Sequence, residues 1–237
     1  MRTQKLLENR KEPDLFFSIS IISIILILSL IFSFLFRNLT IEEKLFKGGI
    51  FTFLTEVGII YFSFIKYPEY FKNIFSNFSL FFSGFKYYLI IIPIISIVSL
   101  IVYAIFEQLH INVEIQKMVS FYLEIKSIKI ILFMFFLSCF IAPLTEEIIF
   151  RGILYKSLRN NFSFSIAVIL SSLVFSLFHN DLFTFAGIFI FGCFLSIIFE
   201  RHRYLWPSIG LHFFNNFFTN LFVFFIKFHQ AGQNFVI

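Results

Sequence analysis

The sequence predicts an all-α fold, a polytopic bundle of about seven or eight transmembrane helices. Three observations lead there. Of the 237 residues 59% are hydrophobic and 14% charged, where a soluble domain carries about a quarter charged, and the mean hydropathy is +0.89. The apolar residues gather in runs long enough to cross about 30 Å of hydrocarbon. Inside one such run, 139–152, stand two adjacent carboxylates and a guanidinium, Glu146, Glu147 and Arg151, each costing roughly 3 kcal/mol at the bilayer centre unless it has partners and a purpose.

The elements follow in order from these runs. Residues 1–14 are mostly polar, with Arg2, Lys5, Arg10 and Lys11 ahead of a charge-free apolar run over 15–36. Its 22 residues exceed the roughly 7 to 15 of a signal-peptide core, and no small-residue cleavage site follows, so it predicts a helix that stays as an anchor. Further apolar runs lie at 49–65, at 87–106, from 128 into the carboxylate stretch, and at 162–178, 182–199 and 208–228, making seven. The stretch 110–127 mixes apolar and charged residues at helical spacing and predicts a helix lying in the interface. With the N-terminus inside, 12 of the Lys and Arg residues fall on the cytoplasmic side and 7 on the other, which favours that orientation. Apolar runs recur throughout, so residues 1–237 read as a single transmembrane domain.

A net charge of +5 raises nucleic acid as a partner, but the basic residues scatter over loop ends and form no patch interleaved with exposed aromatics. Nucleic acid is set aside, and the lipid bilayer is the expected partner. Cys139 and Cys193 sit in apolar runs and read as packing residues rather than a disulfide pair or a thiolate zinc site. The 42 Phe residues spread over every apolar run without a period, as lipid-facing filler.

The chemistry-bearing residues fall in the second half. On a helix Glu147 and Arg151 share a face at a spacing of four, while Glu146 turns about 100° away and needs a different partner. A purely structural ion pair, with Arg151 reaching to the interface, is the plain alternative. Glu56, inside the second run, has no partner nearby and reads as structural or interfacial. His179 ends the fifth run, four residues after Phe175, and alone reads as a loop or packing residue; Asp181 reads as a cap for the next helix. In the seventh run Ser208, His212 and Asn216 recur every fourth residue as one polar stripe, suited either to a site or to interhelical hydrogen bonds. His110, His202 and His229 read as solvent- or headgroup-facing. Two Glu, two His and an Asn on three apolar segments are an expensive set to bury without a shared site. Glu can act as a base toward water, His can orient that water, and His with Asn can donate to an oxyanion, which makes a hydrolase without a Ser or Cys nucleophile.

These residues resemble a known family. E-E-x-x-x-R-G at Glu146, Glu147, Arg151 and Gly152, F-x-x-x-H at Phe175 and His179, and S-x-x-x-H-x-x-x-N at Ser208, His212 and Asn216 look like the three ordered motifs of the CPBP family of intramembrane proteases. That family includes the type II CAAX prenyl endopeptidases and bacterial Abi proteins linked to bacteriocin self-immunity. The resemblance spans about 130–222 as a protease core and implies an intramembrane endopeptidase acting on a membrane-associated or lipid-modified peptide. Glu146 would match the glutamate that activates water, with His179 assisting. His212 and Asn216 would match the oxyanion pair, with Glu147, Arg151 and Ser208 supporting.

The family is also described as metallopeptidases. Zinc is the metal to consider, with Glu146, His179 and His212 as the candidate ligands, although no cofactor is required when the glutamate alone activates water. The rival reading is a non-catalytic membrane protein, either an immunity protein acting by binding or a proton-coupled carrier. The expected location is a multi-pass membrane protein, in the plasma (inner) membrane if the source is bacterial; the oligomeric state is not legible. Simple threading sets His179 and His212 at different depths, so a helix must tilt or break for them to meet, with Pro143 a natural place for a kink.

Overall fold

The computed structural model describes residues 12–111, 124–125 and 127–233, and all regular structure among them is helical. The helices are α1 (Leu15–Leu35), α2 (Ile41–Lys66), the short α3 (Pro68–Ile74), α4 (Ser83–Gln108), α5 (Ile128–Asn161), α6 (Phe164–Phe178), α7 (Phe185–His202) and α8 (Trp206–Gln233), with a 3₁₀ turn at Phe78–Phe82 before α4. Every apolar run forms a helix. Six of these helices are long and apolar enough to cross a membrane, and α6 is shorter at 15 residues. The expected interfacial helix at 110–127 lies largely outside the described residues, as do the basic residues before Glu12.

Local chemistry explains the boundaries. Asp14 caps α1 by accepting the Phe17 N–H at 2.8 Å, and Thr40 with Glu43 forms a reciprocal capping box on α2. Pro68 opens α3, where its missing N–H costs nothing. The outward faces of α1, α2 and α4 are apolar and exposed, the pattern of side chains meeting lipid.

Packing is uneven along the bundle. At the end nearest Asp14, Tyr70, Phe71 and Ile74 of α3 join Ile153, Tyr155, Leu205 and Leu211 in the main core. A much smaller cluster, Ile125, Ile131, Met134 and Val223, lies toward the opposite end.

Two details of this arrangement bring His179 and His212 together. α8 begins sunk within the bundle: Leu205 is fully buried, its N–H donates to the Ile74 carbonyl at 2.9 Å, and Trp206 Nε1 donates to the Phe75 carbonyl at 2.7 Å. Next, α6 is short, about 22 Å from its length at 1.5 Å per residue. Gly84 of α4 and Gly210 of α8 let those helices touch by their backbones; a Cβ on Gly84 would meet the backbone of Gly210 and Leu211, and one on Gly210 the Phe81 carbonyl.

Candidate active site

α5 carries the central residues and is not a uniform α-helix. Two π-helical stretches, Leu137–Ile141 and Ile148–Tyr155, flank a single α-helical stretch, Ala142–Glu147, that holds both glutamates. π-Helical turns need a local cause and frequently mark functional sites. Here Ala142 N–H reaches back five residues to the Leu137 carbonyl. The next bond in that register would run from residue 143 to residue 138, and Pro143 has no N–H to make it. The Ser138 carbonyl is taken instead by Asn216 Nδ2 of α8 at 2.9 Å. In the second stretch Tyr70 Oη donates to the Gly152 carbonyl at 2.7 Å and Ser18 Oγ to the Ile153 carbonyl at 3.2 Å. Burial pushes the Tyr70 phenol well above its ordinary range, so it remains a donor. Other helices thus satisfy backbone oxygens that water cannot reach.

Glu147 is fully buried, and its Oε1 accepts from Arg151 Nη1 and from His212 Nδ1, both at 3.0 Å. The guanidinium, equally buried, also donates from Nη2 to the Gly192 carbonyl at 3.2 Å and lies 4.3 Å above the Phe175 ring centroid. Phe175 also meets both histidines: its ring lies 4.8 Å from that of His179 and 6.1 Å from that of His212, and its carbonyl meets His179 Nδ1 at 2.9 Å. A carbonyl and a carboxylate only accept, so both histidines carry hydrogen on Nδ1 and keep Nε2 for other work.

Glu146 is set apart from this network. Its Oε2 is buried without a hydrogen-bond partner and stands 3.9 Å from His212 Nε2, too far for a direct bond. A cavity of about 660 Å³ lies in front of it. Glu146, His179, His212 and Asn216 all line this cavity, so the structure gathers all four predicted catalytic residues, from three helices, around one volume. Ser208 is buried away from it and donates to the Leu195 carbonyl at 3.1 Å, which ties α8 to α7.

Two residues of the site lie beyond the sequence reading. Asn220 continues the stripe by another four positions, donating from Nδ2 to Ser138 Oγ and to the Asn216 carbonyl, both at 2.7 Å. Its spacing from Asn216 was a visible signal. Glu56, read as structural or interfacial, lines the cavity; nothing in its own helix marks it.

Among the described residues no three His, Cys, Asp or Glu side chains are grouped as a metal site. His212 Nδ1 meets Glu147 and His179 Nδ1 a carbonyl, which leaves Nε2 of both rings free.

Residues 128–218 match the family model described as Rce1-like, Type II CAAX prenyl endopeptidase Rce1-like. No curated protein and no solved structure matched the chain. The matched segment is less than half of the chain, but it runs from the first turn of α5 into α8 and contains the Glu-Glu, Phe-His and Ser-His-Asn positions together with the π-helical turns that present them. Over this segment the chain is similar to the type II CAAX prenyl endopeptidase family, and with six helices long and apolar enough to cross a membrane it is an integral membrane protein.

Proposed function

We propose that the protein is an intramembrane endopeptidase that hydrolyses a peptide bond of a membrane-associated or lipid-modified peptide with a water activated by Glu146. The observation that carries this reading is the unpartnered, buried Oε2 of Glu146 facing a cavity beside two imidazoles. A water about 2.8 Å from both Glu146 Oε2 and His212 Nε2 closes a triangle over the gap between them.

In the reaction Glu146 takes a proton from this water as its oxygen bonds to the substrate carbonyl carbon. His179, whose Nε2 keeps its lone pair, helps order the water. The carbonyl oxygen becomes an oxyanion. Asn216 has one amide hydrogen on the Ser138 carbonyl and a second left to donate. His212 contributes from Nε2 when the ring carries both protons, with the Glu147 carboxylate against its Nδ1 as counter-charge. The proton on Glu146 then passes to the departing nitrogen, the C–N bond breaks, and the remaining proton of the added hydroxyl goes to the amine, so that a carboxylate and an ammonium leave. Glu147 and Arg151 hold His212 and touch no substrate.

The test is purified protein in liposomes, incubated with a library of membrane peptides and read by mass spectrometry. Glu146→Gln lowers turnover at least about 100-fold, the scale of a lost general base, and His179→Ala lowers it too. Folded, inserted variants that cleave at the wild-type rate would overturn the assignment. Activity unchanged by chelators is expected; activity lost to a chelator and restored by one defined metal would reject the metal-free route. Proton flux into liposomes in the absence of any cleavage would point to a carrier instead.

A further inference from the structure

The cavity holds one acidic side chain that the proposed reaction leaves unused. Glu56 is the only charged residue of α2 between Lys47 and Lys66 and so lies deep in a span. It lines the same cavity as Glu146, a like charge near enough to act on it. Glu147, one residue further along, is matched by Arg151 at 3.0 Å; among the described residues no Lys, Arg or His pairs with Glu56. Among the described residues the charged ones of the cavity wall, apart from the two histidines, are Glu56, Glu146 and Asp181, with no Lys or Arg. Asp181 is already engaged, its Oδ1 accepting from the Thr184 N–H at 3.0 Å.

An acid within a span is expensive without a counter-charge, and two acids facing one volume repel. A single cation brought by a ligand relieves both. We infer that Glu56 is a specificity residue of this cavity and receives a lysine or arginine side chain of the substrate, close to the bond that is cut. The inference rests on the peptidase reading, and it names a residue outside the segment that matches the family. Because Glu56 and Glu146 line one cavity, the cation docks beside the activated water.

The experiment uses the full chain in liposomes and membrane peptides identical except at one position. That position is moved along the residues flanking the cleaved bond and carries Lys, Arg or the similarly sized, uncharged Met. At one position Lys and Arg exceed Met by about tenfold in kcat/KM, mainly through KM, as expected when a desolvated charge pair is made on binding. In Glu56→Gln this ratio falls to about one, while Glu56→Asp, which keeps the charge with a shorter reach, retains part of it. The inference fails if wild type shows no preference, if the preference survives Glu56→Gln, or if that variant slows Lys and Met peptides alike. Equilibrium binding of the same peptides separates the two readings. If nothing is cleaved, the peptidase reading falls, yet a Lys-over-Met binding preference lost in Glu56→Gln still upholds the cation site, and equal binding overturns it.

Discussion

Within one turn of α5 two identical carboxyls meet opposite surroundings. Each has a buried Oε2 without a hydrogen-bond partner, but Glu147 holds a guanidinium and an imidazole on Oε1 away from solvent, whereas Glu146 lines a cavity. Removing Arg151 strands the buried Glu147 charge, so Arg151→Met costs about 3 to 5 kcal/mol of stability. Pairing it with Glu147→Gln recovers part of that loss, and thermal unfolding in detergent measures both. A double variant no better than the single one would mean that the pair is not coupled. Phe175 supports the same guanidinium and both histidine rings, and Phe175→Leu keeps bulk while losing the aromatic face. It lowers kcat more than it raises KM, because histidine placement and not substrate contact is disturbed. The pairing of Glu147 with Arg151 was legible because i, i+4 spacing fixes a shared face. The place of Glu56 was not, since its neighbours belong to another helix and no spacing along α2 encodes them.

At the scale of elements, the two π-helical stretches decide where α5 points its acids. The sequence pointed to Pro143 as the irregular place, and the irregularity is a π-helical stretch ending just before it, with Asn216 supplying the donor that proline lacks. Pro143→Ala returns a backbone N–H to the Ser138 or Cys139 carbonyl and releases Asn216. The variant is expected to melt higher and turn over more slowly; one that leaves both unchanged would separate the π-helical turn from function. The close contact of α4 with α8 makes the opposite prediction. Ala at Gly84 or Gly210 sets a Cβ against backbone, which cannot rotate away as a side chain can, so either substitution forces the helices apart. Yield of folded protein by gel filtration should collapse for both, while Gly58→Ala, where a Cβ meets nothing, is tolerated. Helix existence came through from apolar runs, but such helix-to-helix approaches depend on the fold as a whole.

Across the molecule, packing is densest at the end that holds Asp14, α3 and the start of α8, and the cavity reaches toward the other end, past Asp181 and Thr184 to Met134 and Val223. Phe106 of α4 and Phe183 of the α6–α7 connection meet there, with ring centroids 5.8 Å apart. A reactive volume inside lipid needs a route for water, and this asymmetry assigns the route to the face bearing residues 179–184. From the distribution of Lys and Arg we propose that the N-terminal end is inside, which makes that face the outer one. The two properties combine in one measurement. Thr219 lines the cavity from α8 and is exposed; Thr219→Cys, in a background with Cys139 and Cys193 replaced, presents a single thiol there. A membrane-impermeant maleimide added to intact cells labels it, and a bound membrane peptide slows the labelling. Ser157→Cys, buried at the opposite end, stays unlabelled. Labelling of Thr219→Cys only in inverted vesicles would reverse the orientation, and no labelling from either face would mean that the cavity is closed to water, leaving Glu146 without its reactant.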